Sequence, residues 1–285
     1  MARALRIDPP AGTTVSLADV PLGEWYPFFM QWQVPVTVSI AYTLLSFMFN
    51  PVSNKLSRME AQRQSVKQEG AGKQRKSIFT PMTMFIFFHN AVLAVYSGWA
   101  FVSVFPVFVQ SIVTKGWFGG LCDIDGSTWN SVLFAQAYLF YVSKFYELID
   151  TVIIIAKGRR ASLLQIYHHA GVIMIMYFAN YYSSSAAVFI VWENAGVHTV
   201  MYTYYALTVL GVNPPGKQYL TSLQIFQFLF GQSFVAIYLC MSNCQTQDQR
   251  MWLYILTAYL VPLIYLFVQF FRTTYKKSGD KKKAQ

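Results

Sequence analysis

Seven apolar stretches, at roughly 29–49, 82–109, 131–156, 161–182, 186–211, 219–241 and 251–271, constrain this chain more than any other feature. Each reaches the 20 or so residues that a helix needs to cross a hydrocarbon layer. The second is long enough to hold a tilted or broken helix. With 55% hydrophobic and only 12% charged residues, the composition agrees with a bilayer, not a soluble core, as the place where this surface is covered. The expected fold is all-α, a polytopic membrane protein with seven transmembrane helices.

Lys and Arg sort between the connecting segments and set the expected orientation. Taking alternate compartments, seventeen of the 22 lie on one side, in the 50–81 loop, the 157–160 turn, the 212–218 loop and the tail from Arg272. Arg3, Arg6, Lys115 and Arg250 lie on the other, and Lys144 is inside a span. By the positive-inside rule the N-terminus is lumenal and the C-terminus cytosolic. The expected organisation is a lumenal segment at 1–28, a membrane domain at 29–272 with a basic cytosolic loop at 50–81, and a basic tail at 273–285. No cleaved leader is expected, because residues 1–24 contain Pro and charges and no apolar run. Trp25, Tyr26, Phe28 and Trp32 are expected to anchor at the interface. The net charge of +10 suits anionic headgroups, and a basic tail without interleaved aromatics gives no reason to invoke nucleic acid.

Cys122, Cys240 and Cys244 all fall on the lumenal side, where disulfides persist. Cys122 and Cys244 are the candidate pair, with Cys240 the alternative partner. No CxxC spacing supports a zinc site.

Polar residues inside these stretches carry the chemistry. Gln165, His168 and His169 lie three and four residues apart, so on a helix they project from one face. Polar groups are costly in lipid and are candidates for a functional site. Lys144, Glu147, Asp150 and Thr151 follow at i, i+3, i+6 and i+7 on what is expected to be one helix. Glu147 then pairs with Lys144 or across the bundle; a purely structural register device is the competing reading. Asn194, His198, Met201, Tyr202 and Tyr205 form a stripe on the fifth span, and Gln224 and Gln227 share a face of the sixth. His89 beside Asn90 is expected to make a helix-to-helix hydrogen bond. The polar layers overlap in depth, with His168 about 10 Å and His198 roughly 20 Å from the cytosolic end. Lys157, Arg159 and Arg160 flank the opening. An apolar shaft holding a polar layer fits a long hydrocarbon chain with a polar reactive head. The cationic mouth fits a phosphate-bearing carrier such as coenzyme A.

Four blocks resemble the ELO family of fatty acid elongases, the 3-ketoacyl-CoA synthases of the endoplasmic reticulum. They are Lys144-Phe-Tyr-Glu147-Leu-Ile-Asp150-Thr151, Gln165-Ile-Tyr-His168-His169, Asn194-Ala-Gly-Val-His198-Thr-Val-Met201-Tyr202-Thr-Tyr204-Tyr205, and Thr221-Ser-Leu-Gln224-Ile-Phe-Gln227-Phe228. Any one is weak; four in order, across all seven spans, are specific, and the chain looks most like fungal members. One departure is Gln165, where the family usually opens its His-x-x-His-His block. Some members that act on polyunsaturated chains share it, and Gln cannot titrate.

The resemblance implies a tunnel open to the cytosol and condensation of acyl-CoA with malonyl-CoA, with no permanently bound cofactor and no metal. It implies very-long-chain or polyunsaturated products and an acyl group carried on His168, with His198 its partner. His169 and Asp150 would orient imidazoles or move protons. Lys144, Glu147, Gln165, Asn194, Met201, Tyr202, Tyr205, Gln224 and Gln227 would line the substrate, with Lys157, Arg159 and Arg160 at the carrier. The implied partners are the ketoreductase, dehydratase and enoyl reductase of the cycle, and a homodimer is left open. Lys282 and Lys283, at the fourth and third places from the end, resemble a dilysine retrieval signal. Two rivals remain. A membrane di-iron desaturase also uses a Gln-x-x-His-His box, but the four His here fall short of its complement. A seven-span receptor or lipid-binding protein needs a lumenal vestibule that the short loops do not offer.

Overall fold

The computed structural model describes residues 15–51, 80–212 and 214–276, and among these residues there is no strand. After short helical turns at Leu17–Asp19, Gly23–Trp25 and Tyr26–Phe29, the described residues form eight longer helices. They are α1 Gln33–Met48, α2 Pro81–Cys122, α3 Phe134–Tyr146, α4 Ile149–Ala156, α5 Leu163–Tyr181, α6 Ala187–Val209, α7 Lys217–Cys240 and α8 Gln247–Phe271. All seven expected apolar stretches are therefore helical. Three helical segments, Pro81–Cys122, Lys217–Cys240 and Gln247–Tyr275, are long and apolar enough to cross a membrane, and α1 is a shorter apolar helix. Outward-facing Leu44, Val95, Phe226 and Val261 are each more than half exposed. Such a surface requires a lipid cover, and the chain is a membrane protein.

Local sequence explains the helix ends. Thr80 caps α2 by accepting from Thr83 N–H, with Pro81 in the first turn. Ser162 caps α5 through Gln165 N–H, and Thr246 with Gln249 makes a full capping box on α8. The long second helix stays helical through 82–109, where a tilted or broken helix was expected, and breaks beyond that stretch: Gly116, at φ 71°, ψ 175°, is non-helical, a conformation open to Gly alone.

The third stretch departs from expectation. It is two helices, with Glu147 and Leu148 between them. Leu148, Asp150 and Thr151 N–H donate to Phe145, Glu147 and Leu148 C=O, three residues back instead of four. This tightened turn breaks the one helix expected to carry Lys144, Glu147, Asp150 and Thr151 and aims them at different neighbours. Tyr26 also departs: it is buried between Phe134 and Tyr138, with ring centroids 5.7 and 5.0 Å away. Trp25, Phe28 and Trp32 are exposed as anchors should be.

Helix α5 is the hub. It packs against α1, α3 and α8, while α2 and α6 pair along their lengths and α7 lies against α6 and α8. At one end of the bundle, Cys122 and Cys244 are joined, which selects between the two pairings left open, and Cys240 is free and exposed. Ser185 Oγ and Tyr238 OH both donate to Leu121 C=O beside the disulfide, and Trp252 Nε1 donates to Ile175 C=O. At the other end Asn50 bonds both backbone groups of Ala161. The crosslink closes a loop of 122 residues, so the paired Cys122→Ser, Cys244→Ser variant should lose about 2–4 kcal/mol. Thermal unfolding in detergent without reductant checks this, with Cys240→Ser expected to match wild type. A crosslinked chain and a serine pair that melt together would show the bond to be dispensable.

Candidate active site

The turn between α3 and α4 places two buried clusters back to back. In the first, Lys144 Nζ donates to Glu147 Oε1 at 2.7 Å and to Asn194 Oδ1 at 3.1 Å, and lies 3.7 Å from the Phe140 ring centroid. Both charged side chains are 1–2% exposed, so neither is solvated and each depends on the other. His198 Nδ1 approaches the same carboxylate oxygen at 3.6 Å. Among the described residues, Glu147 Oε2, His169 Nδ1 and His198 Nδ1 are buried without a hydrogen-bond partner. Buried polar atoms rarely stay unpaired, and these three belong to the same polar layer.

The second cluster is centred on Asp150. Its Oδ1 is 2.9 Å from His89 Nε2 on α2, and its Oδ2 accepts from Tyr202 OH at 2.7 Å. Asp150 therefore ties α4 to α2 and α6. His89 makes the helix-to-helix bond expected of it, and it is the fourth imidazole of this layer. Thr151 Oγ1 meets Tyr42 OH at 2.8 Å and accepts from Gln165 Nε2 at 3.4 Å. Tyr42, on the first apolar stretch, carried no motif that could have singled it out.

On α5 the three polar residues fan toward different helices. Gln165 reaches α4. His169 is buried, with its ring 6.4 Å from that of Tyr42 on α1. His168 lies among Phe228, Phe267 and His169, with ring centroids 6.3, 6.5 and 5.4 Å away, and its Nδ1 is 3.1 Å from Tyr259 OH on α8. The α6 stripe holds together: Asn194, His198 and Tyr202 face the two clusters, while Met201 Sδ accepts from Gln224 Nε2 at 3.3 Å. Gln227 is buried beside Phe228. Tyr205, 6.4 Å from the Tyr202 ring, is partly exposed at the edge.

Lys157, Arg159 and Arg160 stay exposed in the turn between α4 and α5, at the end of the bundle nearest Gln165. Partial burial and the Arg159 guanidinium draw the Lys157 ammonium below its ordinary value. A small cavity of about 30 Å³ lies between α6, α7 and α8, lined by Phe189, Ile190, Gly231, Phe234, Leu256 and Leu260. Phe234 stacks on Phe189 at 3.9 Å. Along α6, Phe189 is nine residues or about 13 Å from His198, toward the disulfide end. Among the described residues no three His, Cys, Asp or Glu side chains are grouped as a metal site would require. Lys282, Lys283 and most of the basic 50–81 loop lie outside the described residues.

The arrangement offers imidazole nitrogens, a shared carboxylate and several hydrogen-bond donors in an apolar surround, which suits acyl transfer. The same residues fall within a match to the ELO, GNS1/SUR4 family model over residues 27–283. A fungal relative, from Schizosaccharomyces pombe, is 28% identical over 207 residues, covering 67% of this chain and 55% of its own. Fatty acid elongase 5 of Trypanosoma cruzi is 33% identical over 170 residues, 56% of this chain and 63% of that one. Long chain fatty acid elongase 1 of Caenorhabditis elegans is 29% identical over 203 residues, 68% and 69% of the two chains. The matched part spans 64%, 55% and 63% of the length of the first three curated relatives. With the family model matched almost from end to end and the imidazole blocks gathered into one buried layer, the chain belongs to the ELO, GNS1/SUR4 family.

Proposed function

We propose that this chain is a fatty acid elongase that condenses malonyl-CoA with a long-chain acyl-CoA, releasing CO2 and CoA and giving a 3-oxoacyl-CoA. The observation that carries the reading is the gathering of partly buried His168 with the buried His169, His198 and Lys144–Glu147 pair in one polar layer. In the proposed sequence a His168 nitrogen attacks the thioester carbonyl and the C–S bond breaks, so that CoA leaves as its thiolate and the acyl group stays on the ring as an acyl-imidazolium. Loss of CO2 from malonyl-CoA generates a carbanion that forms the new C–C bond to the acyl carbon and releases the imidazole. His198, held near Glu147, is placed to partner His168 in proton movement, with Asn194, Gln224 and Gln227 as donors to developing oxyanions.

The wider reading has seven membrane spans in the endoplasmic reticulum, the N-terminus lumenal and the C-terminus cytosolic. It has an acyl tunnel running from the Lys157–Arg160 turn past the imidazoles toward the cavity at Phe189 and Phe234. The reductase and dehydratase steps fall to separate partner enzymes. Support comes from the helical state of all seven apolar stretches, the disulfide at one end and the basic turn at the other. The chemistry is tested by incorporation of labelled malonyl-CoA in membranes carrying the full chain, against a panel of saturated, monounsaturated and polyunsaturated acyl-CoAs. Extension of at least one of them by two carbons is expected. No incorporation into any chain would overturn the condensing role.

A further inference from the structure

We infer that Tyr259 is a positioning residue that fixes which nitrogen of His168 carries the proton. The inference rests on the nucleophile reading above and goes beyond it. Tyr259 lies on α8, in an apolar stretch with no polar stripe of its own, yet its hydroxyl touches His168 twice. It donates to the His168 backbone C=O at 3.2 Å, and it is 3.1 Å from His168 Nδ1. A phenol has a single proton, and a carbonyl oxygen can only accept. The proton therefore goes to the carbonyl, and the phenolic oxygen is left as an acceptor facing Nδ1. Nδ1 must then be the protonated nitrogen, donating to Tyr259, and Nε2 keeps its lone pair. The opposite tautomer sets two acceptors, Nδ1 and the carbonyl, against one hydroxyl hydrogen, and loses one of the two bonds. In a buried site a lost bond is expensive, so one tautomer dominates.

The surroundings hold Tyr259 where this requires. Its ring stacks on Tyr167 at 5.5 Å between centroids and 17° between planes, and Tyr167 OH donates to Tyr259 C=O at 3.1 Å. On the same face of α5, Gly171 leaves the space the ring fills: a Cβ there would overlap the Tyr259 ring edge. Three residues of one helix, Tyr167, His168 and Gly171, thus form a socket for a single tyrosine from another. The consequence for chemistry is that Nε2 is the nitrogen that bonds the acyl carbon. Nδ1–H remains hydrogen-bonded throughout, so the ring needs no tautomer exchange before attack.

The test uses the full chain in detergent or membranes, with acyl-CoA alone for the rate of acyl-enzyme formation and with malonyl-CoA added for turnover. Tyr259→Phe keeps the ring and its stacking and removes only the hydroxyl. It should lower kcat and the acylation rate by the same factor, about 10–100-fold for loss of an orienting partner, with KM for malonyl-CoA within about twofold. Tyr265→Phe removes a hydroxyl of the same size from an exposed position on the same helix and should stay within about twofold of wild type in both rates. Gly171→Ala, which displaces the Tyr259 ring with its hydroxyl intact, should slow acylation as Tyr259→Phe does, and decides the matter if the Phe variant fails to fold. Acylation by folded Tyr259→Phe at the wild-type rate overturns the inference while leaving the nucleophile reading in place. Turnover by wild type with no acyl group ever found on His168 overturns the nucleophile reading itself.

Discussion

On the proposed covalent route, replacing His168 by Ala should abolish condensation, with turnover falling by about 10⁴-fold or more, as expected when a nucleophile is deleted. Acyl-CoA alone should leave a mass addition on the peptide containing His168 in the wild type and none in the variant. The geometry separates this residue from its neighbour. His168 sits among Phe228, Phe267 and Tyr259, in the apolar surround a hydrocarbon chain needs, whereas His169 turns toward Tyr42. His198→Ala should lose less, about 10²–10⁴-fold, because a partner that only moves protons is partly replaced by solvent or a neighbour. His168→Ala removes one hydrogen bond and some aromatic contact, so thermal unfolding in detergent should confirm that this variant is folded. Folded His168→Ala that still condenses at more than a hundredth of the wild-type rate would sink the covalent route. The acyl group would then have to pass directly from CoA to the malonyl carbon.

The sequence made this contrast only partly legible. Apolar runs located the long helices among the described residues, because a long apolar run is the strongest signal a membrane helix leaves in a sequence. Helical spacing also anticipated the α6 stripe and the contact of Lys144 with Glu147, three residues apart. It failed at Glu147 and Leu148. An unbroken apolar pattern gives no sign of a tightened turn, which lets Lys144 and Glu147 meet α6 while Asp150 reaches both α2 and α6. Hydropathy likewise cannot tell a lipid-facing residue from a core one: Tyr26 and Trp25 are adjacent, and one is buried while the other is exposed. Tyr is doubly ambiguous, since its ring suits lipid interface and core alike while its hydroxyl needs a partner. Tyr42, Tyr202 and Tyr259 all place that hydroxyl on a site residue, but only Tyr202 fell within a recognisable stripe. For Tyr259 the available signal was on the other helix, a glycine three residues beyond His168.

Lys144→Met should destabilise the fold by about 3–5 kcal/mol, the usual cost of stranding one member of a buried ion pair. Lys144 and Glu147 are 1% and 2% exposed, so the surviving Glu147 carboxylate has no water to turn to, and its Oε2 has no other hydrogen-bond partner among the described residues. The loss should appear as a fall on the order of 10 °C in the unfolding midpoint. The double variant Lys144→Met, Glu147→Leu removes both charges and should recover much of that stability, because well-packed apolar groups often replace a buried pair at little cost. Activity should not recover with it. Asn194 Oδ1 loses the Lys144 ammonium that it accepts from, and His198 loses the carboxylate 3.6 Å from its Nδ1. Stability restored without turnover would identify the pair as an electrostatic support for His198 and Asn194, retained for chemistry at some cost to the fold. Recovery of both would make it a register device for α3, and a double variant as unstable as Lys144→Met would show that Glu147 is held by something other than Lys144.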